Sequence, residues 1–322
     1  MKEAISEARF DFVPLMLMAA VALAALALIG TPSTWVTLTV AGLAMGLLIF
    51  IMASGLTLVF GLMDVMNFAH GLFIALGAYV AASVMKAMGG TLAGLGPAML
   101  AAIAAAGLLG FAFERIIIKP VYGQHLKQIL ITTGGMIVAE QLIHVIWGPD
   151  LLPLARPEAL RGAFLLGEVA LEKYRLASVA IGLAVFVALL LTLSRTRLGL
   201  LIRAGVENAE MVEAMGYRVR RLFVGVFVAG SALAGLGGAM WGMYQEAVTV
   251  AIGAQMMVLI FIVIIIGGLG SVTGCFVGAI LVGLVANYTG YLAPKVALGS
   301  NILLMVIILL WRPQGLYPVG KS

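Results

Sequence analysis

Residues 60–79 read FGLMDVMNFAHGLFIALGAY. Asp64, Asn67 and His70 fall within seven positions of one another. They lie in a fifty-residue run, Val36 to Met85, whose only acid or base apart from His70 is Asp64. A membrane-spanning helix needs about 20 apolar residues, so the run holds two spans and a break of roughly ten residues. Asp64 to His70 falls in or beside that break. Two readings fit. One is a tight turn on the membrane surface, where polar residues meet water. The other is a broken or re-entrant element lining a cavity, since irregular backbone survives at membrane depth only where protein or water satisfies it. Ionisable groups inside a membrane are candidates for function by default.

The rest of the chain agrees with a bilayer as solvent. Of 322 residues, 63% are hydrophobic and 10% charged. Soluble domains carry about 25% charged residues. Apolar runs of spanning length number about ten. They lie near 13–30, 36–59, 68–86, 92–113, 129–147, 176–193, 223–244, 254–268, 274–293 and 297–311. The fold expected is all-α: one polytopic transmembrane bundle of about ten helices, some of them broken, with 1–322 as a single domain. The run from Val13 to Gly30 reads as a retained first helix that also targets the chain to the membrane.

Basic residues give the orientation. The segment 194–222 holds Arg195, Arg197, Arg203, Arg218, Arg220 and Arg221, and 114–128 holds Arg115, Lys119 and Lys127. Both are placed in the cytoplasm. The loop 148–175, whose Arg156, Arg161, Lys173 and Arg175 are balanced by four acids, then faces outward. Both termini come out cytoplasmic. A net charge of +5 in such a chain belongs to cytoplasmic loops and gives no reason to expect a nucleic-acid partner.

Within 194–222, Glu207 or Asn208 can begin a short helix that Gly216 ends. Ala209, Val212 and Met215 would share one face, with the acids mostly off it. That acidic face disfavours anionic lipid as the partner of this helix and favours a groove on another protein. Gly268, Gly270, Gly274 and Gly278 are spaced to let helices approach closely, which holds a bundle together in lipid. Gly61-Leu62-x-x-Val65 recurs as Gly268-Leu269-x-x-Val272, a hint of internal symmetry. Cys275, the sole cysteine, reads as buried and structural.

Several classes are disfavoured. Gly315 to Ser322 fits the phosphate-loop pattern G-x-x-x-x-G-K-S, but that loop works only between a strand and a helix, and here a membrane helix precedes it. His70, His125 and His144 are isolated in sequence. No metal site and no catalytic cluster is expected. An ion-coupled secondary transporter should carry buried carboxylates in several spans, and only Asp64 and Glu140 fall there.

With these stretches in hand, the chain resembles the permease subunits of branched-chain amino-acid ABC importers. The resemblance runs over most of the chain. It is carried by G-L-T-L-V-F-G (55–61), N-F-A-H-G (67–71) with G-A-Y (77–79), R-A-x-x-E-N-A-x-M-x-E-A-M-G (203–216), I-G-G-L-G-S-V-T-G (266–274) and W-R-P-Q-G-L (311–316). It implies a channel of two such permeases, identical or homologous, in a bacterial cytoplasmic (inner) membrane. It implies two cytoplasmic ATPases that hold the ATP and Mg, with no cofactor in this chain, and a soluble binding protein that delivers substrate from outside. The element resting on the ATPase would include Glu207, Asn208, Met211, Glu213, Ala214, Met215 and Gly216. Asp64 departs from the familiar pattern and leaves the substrate open, since related permeases are associated with urea, short amides or aromatic acids.

Overall fold

The computed structural model describes residues 12–207 and 209–318. α1 (Val13–Ile29) and α2 (Pro32–Met63) each carry a proline in the first turn, where a missing N–H leaves no bond unmade. α3 (His70–Ala87) and α4 (Leu92–Phe113) follow. The chain continues from α4 into a π-helical turn, Glu114–Ile118, and reaches α5 (His125–Trp147). Next come β1 (Leu152–Pro153), β2 (Ala163–Leu166) and β3 (Val169–Glu172). α6 (Lys173–Arg195), α7 (Arg197–Glu207), α8 (Ala209–Ala214) and α9 (Val219–Gln245) lead to β4 (Ala247–Val248). α10 (Ile252–Gly267), α11 (Val272–Leu292) and α12 (Ala297–Trp311) close the bundle.

The all-α bundle expected from the sequence is present. Seven helices are long and apolar enough to cross a membrane, and three shorter apolar ones accompany them: Val13–Ile29, Ile252–Gly267 and Gly299–Trp311. The ten apolar runs therefore coincide with ten helices. The ends differ where polar residues continue a helix. α5 begins at His125, not 129: Gln128 is buried, with its side chain bonded to Met66 and Val121. α7 is an additional helix beside the short one expected after it. The outward-read loop contains strands: β2 pairs with β3 as a hairpin, and β1 pairs antiparallel with β4.

Two triplets of helices are built alike. α2 packs along α11, and α4 packs along α9. α2 and α9 cross antiparallel through glycines: a Cβ on Gly230 would lie 2.6 Å from the Gly55 carbonyl oxygen, and one on Gly55 would strike Gly230 in turn. α2, α3 and α4 thus correspond in chain order to α9, α10 and α11, with the opposite orientation. The core lies along α2, α3, α9, α10 and α11. It includes Phe73, edge-on to both Phe113 and Phe227.

The ends of the bundle sort consistently. Glu114, Arg115 and Lys119 share a cavity with Glu213, Arg218 and Arg221, so the two basic segments lie at one end. Asp64 and His125 join that end through their 3.5 Å contact. Arg156 and Glu246 meet at the other.

Candidate functional site

α2 is 32 residues long, about 48 Å, and exceeds a hydrocarbon core of about 30 Å. It stops at Asp64, which adopts the left-handed conformation (φ 51°) and turns the chain back. Residues 64–69 return alongside the bundle before α3 begins. The His70 ring shows how far they return: Nε2 donates to the Met52 carbonyl at 2.9 Å. Met52 lies eleven residues before Met63, so α3 starts about 16 Å short of the end of α2.

Three N–H groups on the returning segment have acceptors from α5 or from the segment itself. The Met66 N–H donates to Gln128 Oε1 and the Phe68 N–H to Thr132 Oγ1, both at 3.1 Å. Asn67 Oδ1 accepts from the Ala69 N–H at 3.1 Å. Gln128 is itself held by donating to the Val121 carbonyl. Gln128 and Thr132 escaped the sequence reading because nothing in a lone glutamine or threonine on a helix face marks a backbone acceptor. Asn67 and His70 are buried, at 2% and 0% exposure. Asn67 Nδ2 and His70 Nδ1 have no partner. A carbonyl can only accept, so His70 carries its proton on Nε2, and Nδ1 is a buried acceptor. Asp64 stands apart from these two: it is exposed at the bundle end, with His125 as its partner.

The same construction occurs a second time. α9 stops at Glu246, the other non-glycine residue with positive φ (57°) among those described. Residues 246–251 return into the bundle, and α10 begins at Ile252. Glu246 matches Asp64 and Gly253 matches Gly71, the same number of residues apart in each half. The turn entering each helix matches too: His70 N–H bonds to Asn67 O, and Ile252 N–H bonds to Thr249 O. The two helix starts meet. A Cβ on Gly71 would lie 2.7 Å from the Gly253 carbonyl oxygen, and one on Gly253 would strike the Gly71 carbonyl. The Phe68 ring of the return also meets the Phe261 ring of α10, with centroids 5.0 Å apart. The Gly61/Gly268 recurrence in the sequence is a different relation: Gly61 packs against Gly270, and the structural repeat pairs α2 with α9.

The basic end carries the segment 203–216. Asn208 lies outside the described residues, and Glu207 ends α7. Met211 in α8 and Met215 just after it are exposed, at 61% and 62%. Glu213 and Ala214 are exposed beside them, while Val212 is buried at 2%. Val212 and Met215 therefore do not share the single apolar face expected. Val212 anchors α8 and the methionines face outward. Gly216 ends the helix with φ 89°, and the Tyr217 N–H returns to the Val212 carbonyl.

Of the packing glycines, Gly274 abuts the Gly267 carbonyl, and a Cβ on Gly278 would lie 2.8 Å from Val263 O. Gly268 and Gly270 hold positive φ in the turn between α10 and α11. The sequence singled out these four and passed over Gly71 with Gly253 and Gly77 with Gly235, which bring backbones together across longer separations. The stretch after Gly315 is no phosphate loop: the Leu316 and Tyr317 amides bond to the Ile266 and Gly267 carbonyls and cap α10. Gly320, Lys321 and Ser322 lie outside the described residues. No cluster of metal-ligating side chains occurs among the described residues.

A polytopic bundle with two inward helix breaks, no ligand cluster and an exposed short helix at its basic end has the form of a membrane transport subunit. The family model for the branched-chain amino acid transport system permease component matches residues 38–311, and the chain belongs to that family. It is 30% identical to the high-affinity branched-chain amino acid transport system permease protein BraD of Pseudomonas aeruginosa, over 85% of this chain and 93% of that one. It is 26% identical to the corresponding permease LivH of Escherichia coli K12, covering 85% and 92%. It is 28% identical to LivM of the same organism, covering 84% of this chain and 68% of that one. No solved structure matches the chain.

Proposed function

We propose that this chain is a membrane-spanning permease subunit of an ATP-driven ABC importer for branched-chain or related amino acids. The family match over 38–311 carries the reading. In it, a second permease, identical or homologous, completes the channel. Two cytoplasmic ATPases bind ATP and Mg, and a soluble extracytoplasmic protein delivers the amino acid. The chain sits in the bacterial inner membrane with both termini and 194–222 in the cytoplasm and 148–175 outside.

The segment Glu207 to Gly216 is the ATPase contact. Its outward methionines support this, since large apolar groups exposed on a surface helix at the water side of a membrane protein suit a protein groove. Asp64, Asn67 and His70 brace the break beside the translocation path. Branched-chain side chains are apolar, and the amino-acid head is zwitterionic. A route past the buried Asn67 and His70 offers that head both donor and acceptor groups. The alternative substrates are urea, short amides and aromatic acids, which the same head-group chemistry would admit.

Replacing Met215 with glutamate tests the coupling. In proteoliposomes with the ATPases and binding protein, ATP hydrolysis should continue while leucine uptake fails. Normal uptake would make α8 a plain surface helix.

A further inference from the structure

At the basic end, a cavity of about 510 Å³ lies between the last turns of the α4 span and the first turn of α9. Arg115 and Lys119 line it from the first, Arg218, Arg220 and Arg221 from the second. Glu114 and Glu213 are its acidic side chains. Five cations therefore face two acids. Among the described residues none of the five makes an ion pair.

The sign of the charge is wrong for the helix that carries it. A helix N-terminus concentrates positive potential and prefers acidic residues. α9 has no acidic residue in its first turn and no side-chain cap, and Arg218, Arg220 and Arg221 stand there instead. Glu114 forms no ion pair with them: it is fully buried, accepts from the Tyr122 hydroxyl at 2.8 Å through Oε1, and its Oε2 has no hydrogen-bond partner. An anion seated in the cavity would balance the guanidinium groups.

The surroundings identify the anion's carrier. Arg115 lies over the Phe111 ring, 5.3 Å from its centre. Leu108 and Phe111 on α4 and Ile116 in the π-helical turn are exposed apolar side chains beside the cavity-lining residues, with Leu108 72% and Ile116 73% exposed. The cavity thus opens at the depth where a membrane changes from headgroup to acyl chain. Basic pockets between helices at that depth suit anionic headgroups. We infer that this cavity binds the phosphate of an anionic membrane phospholipid, with the acyl chains along Leu108, Phe111 and Ile116. Glu213, Gly216 and Tyr217, from the segment proposed above to meet the ATPase, also line the cavity. The bound lipid would fix that segment against α4 and α9.

The test uses the assembled transporter purified in mild detergent. The wild type, stripped of lipid, is transferred to nanodiscs of phosphatidylethanolamine with or without phosphatidylglycerol, and to phosphatidylethanolamine nanodiscs with free inorganic phosphate. The unfolding midpoint should rise with phosphatidylglycerol alone. An equal rise with inorganic phosphate, or none with either, overturns the lipid assignment. Native mass spectrometry then compares Arg115→Gln/Arg220→Gln/Arg221→Gln with Arg195→Gln/Arg197→Gln, which removes basic charge outside the cavity. Retained phosphatidylglycerol should fall roughly hundredfold in the first and stay near wild type in the second. Equal retention in both would mean that these arginines act only as topological charge. Neither measurement depends on transport, so the inference fails or stands separately from the importer reading.

Discussion

The returns after α2 and after α9 solve one problem by two means. Each long helix ends on an acidic residue in the left-handed conformation, and each following helix starts inside the bundle. After α2, side chains satisfy the backbone: Gln128, Thr132 and Asn67 supply the acceptors, and a single exposed contact to His125 meets Asp64. After α9, backbone does the same work. β4 pairs with β1, and the Leu154 N–H donates to the Glu246 carbonyl. Arg156 caps the end of α9 by donating to the Met243 and Tyr244 carbonyls at 3.0 and 2.7 Å, and it pairs with Glu172 and Glu246, each at 3.3 Å. One return is polar where it enters the bundle; the other keeps its polar fastening at the rim. Unpaired backbone groups cost several kcal/mol in hydrocarbon, so either device suffices to hold a break. Only the first places buried donor and acceptor atoms at the helix start, and there the proposed function puts the substrate path.

This contrast is open to attack at several points. The largest effect should follow substitution where the two halves touch. Gly71→Val and Gly253→Val each drive a side chain into the carbonyl of the facing helix. Both should cost about 3 kcal/mol or more, at the upper end of overpacking. Recovery of the assembled complex in detergent should collapse for both alike. A well-assembled Gly253→Val would separate the halves and end the correspondence.

Arg156→Met should come next. It removes charge-assisted bonds to two carbonyls and leaves Glu172 and Glu246 without that partner. Its side chain is 17% exposed, so partial solvation moderates the loss. About 2 kcal/mol is expected, read as a lowered unfolding midpoint. His125→Gln should be the mildest. Its contact to Asp64 is exposed on both sides, and such pairs contribute about 0–1 kcal/mol. If His125→Gln destabilises as much as Arg156→Met, the two fastenings are not as unequal as the structure makes them.

Much of this was legible in the sequence, and the parts that were not share a cause. Hydropathy reports how long a helix stays apolar, so the ten spans came through. It also marked the first break, because Asp64, Asn67 and His70 interrupt the apolar pattern. The second break showed only as a gap between spans: Gln245, Glu246 and Thr249 interrupt the apolar pattern, while Ala247, Val248, Val250 and Ala251 look like any membrane segment. Its return is held by main-chain pairing, which has no side-chain signature, and Arg156, which caps α9, lies far away in the sequence. The inverted repeat was hidden for a similar reason, since apolar residues interchange freely and few pairs, Gly71/Gly253 and Asp64/Glu246 among them, keep their character. The turn at Asp64 was not visible as left-handed, because aspartate adopts that conformation without announcing it. The burial of Val212 between exposed methionines depends on where α7 and α9 lie, which helical spacing in α8 alone does not contain.

The account turns on the polar return as a brace beside the path, and Asn67→Ala tests it most directly. The change strips the buried Ala69 N–H of its acceptor, a loss of about 1–3 kcal/mol. The measurement pairs the unfolding midpoint of the assembled transporter with ATP-driven uptake of leucine, isoleucine and valine in proteoliposomes, all delivered by one binding protein. The account predicts that the midpoint falls and that uptake of all three falls in the same proportion. A variant with the wild-type midpoint and wild-type uptake would contradict it and leave residues 64–70 as a simple connection between helices.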